Sequence, residues 1–279
     1  MKWVDRGKSR NVQDRRAQRG PAVAGASLGI GGVILVLVFS LITGVDLTSI
    51  LGMGGPAAPQ APVTQESLAA EEELVSFVSF VLDDAQALWS ELFRASDVAY
   101  EEAELVLFRG SVSSACGAAS SALGPFYCPL DGFAYIDLDF YEVLRDRFGA
   151  EGDFAQAYVL AHELGHHVQN LLGTMGQVQE LQRSQPAQSN ELSVALELQA
   201  DCYAGVWANS VQVRGMMERG DLEEGLRAAA AVGDDRLQAG TPGGVNPETF
   251  THGTSEQRMT WFGRGFESGD PNACNTFAG

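Results

Sequence analysis

The sequence predicts an α+β fold that is mostly helical and is preceded by one transmembrane helix. Apolar residues recur with helical spacing in residues 67–93, 154–172 and 190–209, and short β-type runs lie at residues 105–108 and 132–138. Residues 22–45 contain no charged side chain. A chain of 279 residues with an ordinary apolar share of 45% is expected to form one sizeable folded domain with appendages.

The amino-terminal region has the charge pattern of a membrane anchor. Residues 1–20 carry seven Lys or Arg against two Asp, and the uncharged stretch that follows is long enough to cross a bilayer. The positive-inside rule then places the basic segment in the cytoplasm and the main body outside, in a single-pass cell-membrane protein. We therefore predict four regions: a cytoplasmic segment (1–21), a signal anchor in the lipid bilayer (22–45), a flexible linker (46–65) and the folded domain (66–279).

A cleaved signal peptide is the alternative to the anchor. The leader is long for a signal peptide, and residues 54–58 match a small-residue cleavage site poorly.

The body is strongly acidic: with a net charge of −18 for the whole chain and +5 for residues 1–20, the other 259 residues carry −23. This charge argues against nucleic acid as a partner. The oligomeric state is not determined by these features.

Residues 162–166 read His-Glu-Leu-Gly-His and lie within the predicted helix 154–172. The imidazoles of His162 and His166 are four residues apart, so they share a helix face and can bind one metal ion. Glu163 beside them can deprotonate a metal-bound water. The pattern indicates a zinc hydrolase site. His167 points about a quarter turn away and is expected to be a supporting or surface residue rather than a ligand.

A catalytic zinc usually has three protein ligands, and the best third ligand is Glu197. It lies on a second predicted helix, 190–209, and Asp201 follows it four residues later on the same face. Asp201 can accept the ring N–H of His162 and fix its tautomer. The alternative is that both carboxylates lie on a solvated face, but this helix is rich in apolar residues and is expected to be largely buried.

Beyond these motifs, the sequence resembles a known family. HELGHHVQ followed by ELQADCYAGVWA is similar to the bacterial family described as putative neutral zinc metallopeptidases. The opening MKWVDRGKSRNVQDRR and the segments CGAASSALGPFYCPLDGFAYIDLDFY and FTHGTSEQRMTWFGRGF are similar to it as well. The resemblance covers nearly the whole chain except the linker. It implies a zincin-like catalytic domain whose third ligand is Glu. The three ligands named above lead us to expect one Zn²⁺ per chain.

The segment 251–258 resembles a His…Arg segment of integral-membrane zinc proteases that share the HExxH and ExxxD pair. That resemblance implies that His252 stabilises the tetrahedral oxyanion and that Arg258 supports it. A purely structural His252 is the alternative, with Thr254 or Ser255 capping the last helix. Zincin enzymes also commonly hold a peptide on an edge strand, and residues 132–138 are either such a strand or a plain core strand.

Four cysteines, Cys116, Cys128, Cys202 and Cys274, lie on the side that we place outside the cytoplasm, where disulfides persist. Cys116 and Cys128 flank a Ser/Gly/Pro-rich loop and form the favoured pair, which leaves Cys202 with Cys274. Three connectivities are formally possible. No CxxC spacing occurs, which argues against zinc binding by these residues.

These observations predict a membrane-anchored, zinc-dependent endopeptidase that acts on a peptide or protein substrate. Zn²⁺ is bound by His162, His166 and Glu197, and Glu163 is the general base. The alternative is a non-proteolytic ectodomain in which zinc is structural and the domain binds cell-envelope partners. An intact Glu163 favours the enzyme, because a structural zinc site has no need of a base.

Overall fold

The computed structural model describes residues 1–18, 64–239 and 244–277, and these residues form a small mixed sheet enclosed by helices. The strands are β1 (Val12–Asp14), β2 (Glu104–Phe108), β3 (Ser111–Ser114), β4 (Gly117–Ser120), β5 (Phe126–Cys128) and β6 (Phe133–Asp137). The helices are α1 (Gln65–Ala70), α2 (Glu72–Ala95), α3 (Asp139–Asp146), α4 (Asp153–Leu171), α5 (Thr174–Ser184), α6 (Ser189–Val213), α7 (Asp221–Ala231), α8 (Asp234–Ala239) and α9 (Ser255–Ser268). The predicted α+β, mostly helical fold is confirmed.

Four strands form one sheet in the order β1-β2-β6-β5. Strands β1, β2 and β6 run parallel, and β5 runs antiparallel to β6. Strands β3 and β4 form a separate hairpin. Strand β6 therefore has a partner on either side, so residues 132–138 contain a core strand. The edge strand on this side of the sheet is β5.

Residues 1–18 belong to the same folded body as the main domain. Strand β1 pairs with β2. Arg16 is only 1% exposed and forms ion pairs with Asp14, Glu71 and Glu72. Farther towards the amino terminus, Trp3 packs edge-on against an aromatic ring of α2. The prediction that residues 1–21 form a separate segment is therefore wrong for residues 1–18. The physical reason is that Arg10 and Arg16 form ion pairs with carboxylates of the main domain, a use of basic residues that the positive-inside rule does not consider.

The predicted anchor, residues 22–45, lies outside the described residues, as does the predicted linker up to residue 63. Among the described ranges, no helix combines the length and the apolar character that a membrane span requires. The second described range begins at Thr64, whose side chain accepts a hydrogen bond from the backbone N–H of Ser67 and caps α1.

Helices α4 and α6 form the centre of the domain, and α9 packs along α6. The backbones of α6 and α9 are in direct contact, because a Cβ at Gly265 would lie 1.9 Å from the carbonyl oxygen of Cys202. Any larger residue there would separate the two helices. This contact sets the position of the amino-terminal turn of α9, which carries Arg258.

Both disulfide bonds that the sequence analysis favours are present. Cys116 pairs with Cys128 and joins the β3–β4 region to strand β5. Cys202 on α6 pairs with Cys274 and ties the carboxyl-terminal segment to that helix.

Candidate metal centre and active site

Helix α4 carries the His-Glu-Leu-Gly-His motif deep in the domain. The Ala-rich first half of the helix is almost fully buried, and His162, Glu163 and His166 are each less than 9% exposed. The glycine of the motif brings α6 close to them, because a Cβ at Gly165 would meet the carbonyl oxygen of Ala200 at 2.8 Å. Glu197 lies one turn before Ala200 and so faces the two histidines.

The three predicted ligands converge on one point. Nε2 of His162 lies 3.2 Å from Oε2 of Glu197, and Nε2 of His166 lies 3.4 Å from Oε1 of the same carboxylate. Donor atoms of all three residues lie within 4.8 Å of one another. Tetrahedral donors about 2.0–2.1 Å from zinc are separated by roughly 3.3 Å. The chain's own residues therefore fit a zinc ion bound by two His and one Glu.

Both imidazole rings are held by their Nδ1 atoms, so their Nε2 atoms are directed to this point. Nδ1–H of His162 donates to Oδ1 of Asp201 at 2.8 Å, and Nδ1–H of His166 donates to Oε1 of Gln169 at 2.8 Å. Partners of this kind fix the tautomer and the ring orientation of metal-binding histidines. The position of Asp201 agrees with the sequence analysis, whereas Gln169 was not predicted as a partner.

Asp201 is completely buried and belongs to a charged network. Arg258 donates to it from Nε to Oδ2 at 2.8 Å and from Nη2 to Oδ1 at 2.9 Å, and the hydroxyl of Tyr158 donates to it as well. The resemblance implied that Arg258 supports the oxyanion together with His252; in the structure its guanidinium group lies on Asp201, behind His162. The reason is that α9 is held tightly against α6, so the first turn of α9 points its arginine at the carboxylate behind His162.

The network sets the charge state of the ligands. Burial alone would raise the pKa of Asp201, but the positive charges of Arg258 and His162 outweigh burial and lower it. Burial alone would lower the pKa of His162, but Asp201 and Glu197 raise it to about 9. The pKa of Glu197 is held well below its usual range by His166 and His162 despite its burial. The buried carboxylate of Asp201 and the partly buried carboxylate of Glu197 therefore remain ionised, which suits a site for a divalent cation.

Glu163 is the buried carboxyl group beside the proposed ligands. Burial raises its pKa above the ordinary value, although the nearby His162 and His166 act in the opposite direction. A raised pKa is what a general base near neutral pH requires. Glu163, next to the proposed ligand His162 on α4, thus has both the position and the environment for proton transfer.

His252 lies on a loop that packs on α6 close to Glu197. A Cβ at Gly253, the next residue, would lie 3.1 Å from Val194, which is one turn before Glu197. Nδ1 of His252 is 3.1 Å from Oδ1 of Asp234. This interaction leaves Nε2 of His252 as the atom available to a reacting group. Thr254 caps α9 through its side chain, so the predicted capping role lies two residues beyond His252.

The comparison with protein families agrees with this geometry. The model of the family described as "putative neutral zinc metallopeptidase" matches residues 1–277. The chain belongs to this family. It is 49% identical over 285 residues to the uncharacterized protein YpfJ of Escherichia coli (strain K12), covering 99% of each chain. It is 47% identical over 207 residues to an uncharacterized protein of Mycobacterium tuberculosis (strain H37Rv), covering 70% of this chain and 68% of the relative. No solved structure matches the chain significantly.

In this member of the neutral zinc metallopeptidase family, sequence reasoning gave no role to several polar residues that surround the site: Tyr158, Gln169, Gln199 and Asp234. Gln169 lies three residues after His166 on the same helix, so the helical spacing was a signal that could have revealed it. Asp234 had no such signal, because it meets His252 only through the tertiary fold.

His167 is buried, not a surface residue, and it takes no part in the metal site. Its Nε2–H donates to the carbonyl oxygen of Glu101 at 2.7 Å, and its Nδ1 accepts from the hydroxyl of Tyr127 at 3.0 Å. With both ring nitrogens occupied, it ties α4 to strand β5 and to the chain before β2.

Proposed function

We propose that this protein is a zinc-dependent endopeptidase with one zinc ion held by His162, His166 and Glu197. The observation that carries the proposal is the convergence of three donor atoms at tetrahedral spacing beside the buried carboxyl group of Glu163. A site that only stabilises the fold has no use for such a base. The family description supports the same activity.

When bound, the zinc ion would supply Lewis-acid polarisation of the attacking water and of the scissile carbonyl. Glu163 accepts the proton of that water and passes it to the leaving amine. His252 donates from Nε2 to the oxyanion that develops on the carbonyl. Asp201, which is itself held by Arg258 and Tyr158, keeps the His162 ring in position during the reaction.

We propose strand β5 as the surface that holds the substrate backbone. It is the edge strand of the sheet, it is antiparallel to β6, and Tyr127 in its centre accepts a hydrogen bond from Asn170 of the metal-binding helix. A peptide in extended conformation can add to such an edge through main-chain hydrogen bonds. This assignment replaces the strand at residues 132–138, whose two edges are both paired.

We also propose a location for the enzyme: the outer side of the cell membrane, where the two disulfide bonds persist. Residues 22–45 are the proposed contact with lipid. A single passage of the chain between residues 18 and 64 would put β1 and β2 in different compartments, and they could not pair. We therefore propose that residues 1–18 lie on the same side as the catalytic domain, in place of the orientation that the positive-inside rule suggests.

The decisive experiment compares the purified protein with its Glu163→Gln variant on a whole proteome and identifies new amino termini. We expect wild type to create them and Glu163→Gln to reduce the rate by roughly 10²–10⁴-fold while it keeps zinc, because only the base is lost. Glu180→Gln, at an exposed position on α5, is the matched control and should cleave like wild type. Wild type that binds zinc and cleaves nothing would favour the non-proteolytic alternative.

A further inference from the structure

A chain of amide groups connects the proposed ligand His166 to the carboxyl-terminal segment. Gln169, which is completely buried, accepts from Nδ1–H of His166. Its Nε2 donates to the backbone carbonyl oxygen of Leu196 at 2.7 Å and to Oε1 of Gln199 at 3.1 Å. Gln199 then donates from Nε2 to the carbonyl oxygen of Cys274 at 3.0 Å.

These partners allow only one orientation of the Gln169 amide. Its Nε2 faces the carbonyl oxygen of Leu196, which can only accept, so an exchanged amide would place two oxygens against each other. Oε1 must therefore face His166, which requires a proton on Nδ1 of that ring. Nε2 of His166 is left with its lone pair directed at the point where the ligand atoms converge.

The two proposed histidine ligands are thus supported in different ways. His162 donates to the carboxylate of Asp201, which is paired with Arg258. His166 donates to a neutral amide whose own orientation depends on its hydrogen bonds to α6. The disulfide between Cys202 and Cys274 holds the last acceptor of this chain in place, since Cys202 lies one turn after Gln199 on the same helix.

We propose that Gln169 and Gln199 are positioning residues for His166 and that the carboxyl-terminal segment is thereby part of the zinc site. Neither residue touches substrate. Gln169 fixes the tautomer and angle of the ring, and Gln199 fixes the amide of Gln169. The proposal rests on zinc binding by the proposed peptidase, but it does not depend on peptide hydrolysis.

The test uses the full chain and the variants Gln169→Met and Gln199→Met, which keep side-chain length and remove the amide. We measure the zinc dissociation constant by chelator competition and the visible absorption spectrum of the Co²⁺-substituted protein. Loss of a supporting partner typically weakens metal binding by about 10–100-fold, which we expect for Gln169→Met. Gln199→Met should have a smaller effect in the same direction, because Leu196 still holds Gln169. Both should alter the Co²⁺ spectrum.

Gln86→Met is the matched control. Gln86, on α2, is also buried, and its side chain accepts from the backbone N–H of Ala103 rather than from a residue of the proposed zinc site. It should lower the free energy of unfolding while zinc affinity and the Co²⁺ spectrum stay as in wild type. If Gln169→Met fails to fold, Gln199→Met carries the test by the same two measurements.

The inference would be overturned if Gln169→Met had wild-type zinc affinity and an unchanged Co²⁺ spectrum. If Gln169→Met does not fold, the same result in a folded Gln199→Met would overturn it. The proposed peptidase activity would be unaffected in either case. Conversely, a wild type that binds zinc and cleaves no peptide, with both variants weakened, would support the inference and overturn the proposed activity.

Discussion

Asp234 and His252 form a partly buried pair in which one carboxylate organises a whole loop. Oδ1 of Asp234 lies 3.1 Å from Nδ1 of His252, and Oδ2 accepts the backbone N–H groups of Thr251, His252 and Gly253 at 2.7, 2.7 and 3.1 Å. The ring and its backbone are therefore fixed by the same side chain. Burial alone would lower the pKa of His252, but Asp234 and the charge of Glu197 raise it.

The first prediction concerns this pair. We expect His252→Ala to lower kcat by about 10²–10³-fold with zinc retained, the magnitude typical of losing one oxyanion donor. Asp234→Asn should lower kcat less, because the ring remains but loses its anionic partner. Asp235→Asn is the control: it is the next residue on α8, and its carboxylate accepts from Ser255 instead of His252. Loss of zinc from His252→Ala would make this residue a ligand and contradict the prediction.

The second prediction is the pH dependence that follows from the same pair. A raised pKa keeps His252 protonated, and able to donate from Nε2, to higher pH than an ordinary histidine; the donor is lost as pH rises through that pKa. Asp234→Asn removes the charge that raises the pKa, so the alkaline limb of kcat/KM should move to lower pH. A pH profile of kcat/KM for wild type and variant measures this shift. An unchanged alkaline limb would exclude His252 as the group that titrates there.

The third prediction is metal binding. Elemental analysis should find one zinc per chain, absent in His162→Ala and His166→Ala and weakened in Glu197→Ala. His167→Ala is the control from the same helix: it should cost stability and keep zinc, because its ring is bonded to Tyr127 and Glu101.

Zinc affinity should also rise between about pH 6 and pH 9. The pKa of His162 is raised to about 9 in the metal-free site, so binding must displace a proton from this ring. Chelator competition at several pH values measures this dependence. Full zinc occupancy in both histidine variants, or an affinity independent of pH, would contradict the proposed ligands.

The fourth prediction places residues 1–18 beside the catalytic domain. Cysteine introduced at the exposed positions Lys8 and Glu180 should react together with a membrane-impermeant maleimide, in cells whose outer barrier is opened. Labelling of Glu180→Cys alone before lysis would place the two segments in different compartments.

Arg16→Ala should also lower the free energy of unfolding of the whole domain by about 1–3 kcal/mol, since three carboxylates lose a shared partner. The exposed Arg6→Ala should change it by less than about 0.5 kcal/mol.

The fifth prediction concerns the disulfide bonds. Replacing Cys202 and Cys274 together by Ser should cost about 2–4 kcal/mol of unfolding free energy, because the bond closes a loop with a sequence separation of 72. The Cys116 and Cys128 pair has a separation of only 12, so its replacement should cost less in the same urea titration. A larger loss from the shorter loop would show that strain or local contacts, rather than loop closure, dominate.

Features that depend on local geometry could be predicted from the amino-acid sequence alone. His162, Glu163 and His166 could be assigned because a helix repeats every 3.6 residues, so a spacing of four places two rings on one face. Glu197 and Asp201 followed from the same spacing and from the chemistry that a third ligand requires. The mostly helical α+β fold followed from the periodicity of apolar residues.

Contacts between groups that are distant in the sequence could be found only from the three-dimensional fold. Arg258 lies on Asp201, Asp234 lies beside His252, and strand β1 brings the amino terminus into the sheet. Each of these contacts joins residues far apart in the chain. They depend on close packing of helix backbones at glycines and on the pairing of buried charged groups. Neither condition produces a repeating pattern in the sequence. Local spacing therefore predicted the proposed metal ligands, and the three-dimensional fold alone determined what holds them in place.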